Sequence, residues 1–66
     1  MKIFVNNQEI ELFQGATVKH ALLKANPELY HLVYDKKADV FDQEGNPVEL
    51  HGAVSSGWSY QVLNKK

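Results

Sequence analysis

The chain contains no cysteine and no arginine, one tryptophan and one methionine, and no long apolar run. Without thiols, disulfides, iron–sulfur ligation and thiol catalysis are excluded within the chain, and cysteine usage points to no compartment. Without arginine, the side chain that most often reaches bases and phosphates is missing. Seven lysines face eight acidic residues, for a net charge of −1, and apart from the pairs Lys36-Lys37 and Lys65-Lys66 they are scattered. A solvated surface is expected, not a nucleic-acid interface. No segment approaches the roughly 20 apolar residues of a membrane span. The opening MKIFVNNQEIEL lacks the continuous apolar stretch of about 7–15 residues that a signal peptide needs. A cytoplasmic protein without membrane contact is the expectation.

Sixty-six residues set a single domain, residues 1–66. A chain of this size buries only about 60% of its unfolded surface. Its stability should therefore be modest, about 3–10 kcal/mol by per-residue scaling. Within that limit the hydrophobic pattern is orderly. Val18, Ala21, Leu22 and Ala25 recur at helical spacing, while Lys19, His20 and Lys24 fall off that stripe. A main helix over Thr17–Ala25 follows, with Thr17 as N-cap and Gly15 allowing a sharp entry.

Before the helix, KIFVN and EIELF alternate, placing Ile3, Val5, Ile10 and Leu12 on one side. Asn6-Asn7-Gln8 between them supplies turn chemistry, because Asn tolerates positive φ. The two runs make an antiparallel hairpin whose apolar side the helix can cover. After the helix, Asn26-Pro27-Glu28 is both a stop and a start signal. Leu29, Leu32 and Val33 favour a short second helix, against which an extended reading of LYHLVY competes. ADVFD and QEGNPVEL form a second hairpin turning at Glu44–Pro47. HGAVSSG is a small-residue loop, and WSYQVL alternates as a last strand beside the first.

Hairpin, helix, shorter strands and a final strand is the element order of the β-grasp, or ubiquitin-like, fold. The opening MKIFVNN resembles the start of ubiquitin, with aromatic Phe4 between inward Ile3 and Val5. The stretch VNNQEIELFQGATVKHALL is similar to the small bacterial sulfur carriers of thiamine and molybdopterin synthesis, and to the first half of plant-type [2Fe–2S] ferredoxin domains. In both groups a strand pair leads through a Gly-containing turn and a Thr-Val-like pair into the helix. The resemblance implies an α+β β-grasp fold, a mixed sheet of four to five strands packed on one main helix. Its chemistries do not carry over. A sulfur carrier or modifier works through a flexible C-terminal Gly-Gly, whereas this chain ends in Val62-Leu63-Asn64-Lys65-Lys66. A ferredoxin needs four thiolates.

His20 and His31 lie eleven residues apart with Pro27 between them, so no shared metal face is implied; Asp35 or Glu28 would have to complete a site. Nucleophilic catalysis would require Ser55, Ser56 or Ser59 near His51 and a carboxylate, in a domain with little room for a pocket. Neither a catalytic site, a metal nor a cofactor is expected. Phe4 and Phe13 are out of phase with the inward positions of their strands, which places them on the sheet face away from the helix or at its rim. An exposed apolar patch there, with Lys2, Glu9 and Glu11 beside it, is the expected partner surface. Trp58 and Tyr60 belong more naturally to the core. The expected function is that of a non-catalytic protein-interaction or accessory module, monomeric or weakly dimeric. The alternatives are a sulfur carrier or modifier with a processed tail, and a cluster-less ferredoxin-like domain docking on a redox enzyme.

Overall fold

The computed structural model describes residues 1–65. It is an α+β chain with five strands in one mixed sheet: β1 Lys2–Val5, β2 Gln8–Glu11, β3 Ala38–Asp42, β4 Pro47–Val48 and β5 Ser59–Asn64. Helices α1 Val18–Ala25 and α2 Pro27–Tyr34 lie between β2 and β3. The strand order is β2-β1-β5-β3-β4, with β1 and β5 parallel at the centre and the other neighbours antiparallel.

The first hairpin turns on Asn6 and Asn7, both at positive φ (48° and 69°), the type I′ geometry that matches strand twist. Asn6 has a second duty. Its backbone N–H continues the β1–β5 ladder by donating to the Tyr60 carbonyl at 2.9 Å, and its side chain supplies the next acceptor. Its Oδ1 accepts from the Val62 N–H at 2.9 Å. On the inner side of the hairpin, Ile3, Val5, Ile10 and Leu12 are all buried. Val18, Ala21 and Leu22 of α1 close over them, and Leu22 has no exposed surface. The expected stripe and the expected sheet side therefore meet.

One expectation needs correcting. The sheet is packed on two helices of eight residues each, not on one main helix. Asn26 leaves α1 in an extended conformation and caps α2, its Oδ1 accepting from the Glu28 N–H at 3.0 Å, with Pro27 in the first helical turn. Local start signals thus overcome the strand preference of LYHLVY. The second helix ends with Lys36 at φ 62°, where its N–H donates to Val33 and the Lys37 N–H to Leu32. Leu29, Leu32 and Val33 pack against the core from this helix.

The second hairpin forms where expected. Asp42 Oδ1 accepts from the N–H groups of both Glu44 and Asn46 at 2.9 Å, and Gly45 takes φ 84°. Its outer arm is only two residues long. The Leu50 carbonyl has left the sheet to accept from the Lys19 N–H at 3.0 Å, and the Gly52 carbonyl accepts from Val18 at 3.0 Å. The loop after β4 thus satisfies first-turn amides of α1 that would otherwise lack partners. In β5, Tyr60 is buried, its hydroxyl accepting from the Ser55 N–H at 2.9 Å, while Trp58 is half-buried against the same core.

Two outcomes test this packing. Leu22→Ala should cost about 2–5 kcal/mol, the range for truncating a fully buried leucine, and leave little folded protein in a urea titration. Asn6→Gly keeps the turn conformation but removes the acceptor for Val62. We expect a loss of about 1 kcal/mol, read as a lower urea midpoint with an unchanged slope.

Candidate interaction surface

The β1–β2 hairpin places the sequence-predicted residues in two groups. Lys2, Phe4, Glu9 and Glu11 stand on the open side of the sheet, opposite the core residues with which they alternate. The register sets Lys2 against Glu11 and Phe4 against Glu9, and on its other side Phe4 neighbours Ser59. Lys2 Nζ lies 3.8 Å from Glu9, and the Met1 amine 3.1 Å from Glu11. Phe4 is half-buried by these neighbours.

Phe13 lies apart from Phe4. It follows β2 after the strand has ended and turns to the helix side, with 60% of its surface exposed. There it meets His20 edge to face, ring centroids 5.0 Å apart. Together with Glu11, Leu12, Leu23 and Lys24 these two rings line a hollow of about 410 Å³. Leu23 is itself 36% exposed, an apolar residue on the solvent side of α1. Glu11 borders both groups, so the open-face residues and the hollow are joined around the edge strand β2.

His20 is fixed by the helix start. Thr17 sits at the N-cap in an extended conformation, and its N–H donates to His20 Nδ1 at 3.0 Å, with Thr17 Oγ1 3.1 Å from the same nitrogen. This is the arrangement of a capping box with histidine in the place usually held by Glu or Gln. Since Nδ1 accepts that bond, the neutral ring carries its proton on Nε2.

Sequence reasoning missed a second apolar group on the open face. Leu63 is 52% exposed, and Phe41 is half-buried on the neighbouring strand. The two line a shallow groove with Asn7, Gln43, Ser59 and Gln61. Strand alternation could have revealed it, because Phe41 is out of phase with buried Val40 and Leu63 with buried Val62. His51 makes no hydrogen bond to a serine, and no group of three potential metal ligands occurs, among the described residues. Among the described residues, no helix is long and apolar enough to cross a membrane.

Comparisons with protein-family models, with curated proteins and with solved structures returned no match to this chain. Any assignment of function therefore rests on the chain's own residues.

The histidine in the capping box can be tested directly. His20→Gln should keep the box and leave stability within a few tenths of a kcal/mol, whereas His20→Ala should lose about 0.5–1 kcal/mol. Urea midpoints of the two variants beside the parent decide it.

Proposed function

We propose that the chain is a non-catalytic protein-interaction module of β-grasp type, acting through the surface around its first hairpin. The observation that carries this is Phe13. A large aromatic ring stands mostly in solvent beside a second exposed apolar residue, Leu23, and none of the described segments covers either. Phe13 keeps 60% and Leu23 36% of its surface in water, so a partner that covers them recovers part of the about 1.5–3 kcal/mol that full burial of each side chain is worth.

The strand order, with a parallel pair formed by the first and last strands and a helix crossing between them, supports the β-grasp reading. The residues of the sulfur-carrier and ferredoxin chemistries are missing from the sequence. Gly57, the glycine nearest the final strand, donates its N–H to the Lys2 carbonyl at 2.7 Å and so belongs to the folded body, not to a free tail.

Phe4→Ala and Phe13→Ala test the reading in a pull-down against proteins of the native cell. Capture of the specific partner should fall about tenfold or more for Phe13→Ala, with the amide spectrum of the variant still that of a folded chain. Undiminished capture by both variants sinks the assignment. A mass shift for a C-terminal adenylate or thiocarboxylate, after incubation with an activating ATPase and ATP, would replace it with the carrier function.

A further inference from the structure

We infer that the free edge of β2 takes up an extended segment of a partner protein as a sixth strand, with an apolar side chain in the Phe13–Leu23 hollow and lysine or arginine alongside Glu9. The inference rests on the interaction-module reading and adds to it the chemistry of the partner.

The backbone supplies the first reason. In the β1–β2 register Val5 faces Gln8 across the two-residue turn, so Gln8 and Ile10 exchange their ladder bonds with β1. The Leu12 N–H continues the series, donating to the Met1 carbonyl at 2.7 Å. Alternation then directs the N–H and C=O groups of Glu9 and Glu11 away from the sheet. No turn, loop or cap bond among the described residues takes them up. Four strand-pairing groups in a row stand ready for another chain. The opposite edge offers much less, since β4 has two residues and one of them, Pro47, has no N–H.

The side chains say what kind of strand fits. A strand laid beside β2 presents alternate residues to its two sides. On the helix side it passes the hollow, whose walls are Phe13, Leu23 and Leu12, and an apolar side chain fills that space. His20, whose Nδ1 is already engaged by the Thr17 N–H, offers its Nε2–H as a donor there. On the open side the added strand runs next to Glu9 and Glu11. Glu11 is held by the Met1 amine at 3.1 Å, while among the described residues Glu9 has only the exposed Lys2 at 3.8 Å, an ion pair of little strength. Glu9 is the carboxylate left to select a cation.

The same charges argue against a second copy of this chain. Antiparallel pairing of two β2 edges about Ile10 sets Glu9 opposite Glu11 twice over, and like charges directly opposite are destabilising.

The test uses the full chain, ¹⁵N-labelled, and a capped hexapeptide of alternating lysine and valine. Binding should move the amide signals of Glu9, Ile10, Glu11, Phe13, His20 and Leu23 and slow hydrogen exchange at Glu9 and Glu11. Two further peptides, N-methylated on every lysine or on every valine, separate strand addition from loose contact. One of them should lose binding and the other keep it, because only one set of amides faces β2. Glu9→Lys should weaken the parent peptide about tenfold. The inference is overturned by equal behaviour of the two methylated peptides, by a glutamate–valine hexapeptide binding as well, by shifts centred on Phe41 and Leu63, or by dimers paired through β2. If it falls while Phe13→Ala still abolishes capture of the native partner, the interaction module stands and only the strand mode is lost. Failure of both removes the reading itself.

Discussion

The fold depends on one contact: the inner side of the first hairpin against Leu22. Ile3, Val5, Ile10 and Leu12 make a narrow apolar floor that no two-stranded ribbon could keep out of water by itself. With Leu22, Ala21 and Val18 over it, the floor becomes the larger part of the buried core. A domain this small has no second core to fall back on. The remaining elements extend this contact outward, β5 and β3 by continuing the sheet and α2 by widening the helical layer.

The start of α1 shows how such a helix is held in place. Eight residues are too few to be helical alone in water. Here the Val18 and Lys19 amides are satisfied from outside, by the carbonyls of Gly52 and Leu50, and the N-cap amide of Thr17 from within the helix, by the ring of His20. Gly52 suits its position because a Cβ there would come within 3.1 Å of the Glu49 carbonyl. The loop after β4 is thus a structural partner of the helix and not merely a connection. The same bonds shorten β4, since Leu50 cannot serve both the sheet and the helix.

Much of this was legible in the residues. Alternation identified the inward set of the hairpin, Asn6-Asn7 announced a turn with positive φ, and Asn26-Pro27-Glu28 marked both the end of one helix and the start of the next. Each is a local signal with a local cause. The capping signals favoured a second helix against the strand preference of Tyr30, Val33 and Tyr34, but they did not show that it would match the first in length, eight residues each. The docking of residues 50–53 on α1 was not readable, because backbone bonds between distant segments leave no mark on side-chain pattern. For the surface, alternation placed Lys2, Phe4, Glu9 and Glu11 on one side. It could not follow Phe13, which lies beyond the end of β2, where period-two reasoning no longer applies.

The parallel pairing of β1 with β5 has a consequence for how the molecule is made. β1 waits for β5 before it is enclosed on both sides, and the Asn6 pin to Val62 joins residues 56 apart. Contacts of such separation form late, after a large loss of chain entropy. A growing chain can assemble the leading ribbon and its covering helix, but the centre of the sheet stays open until residues 59–64 have emerged. Closure of this domain is accordingly set by β5, and a chain lacking that strand would keep local order without a closed interior.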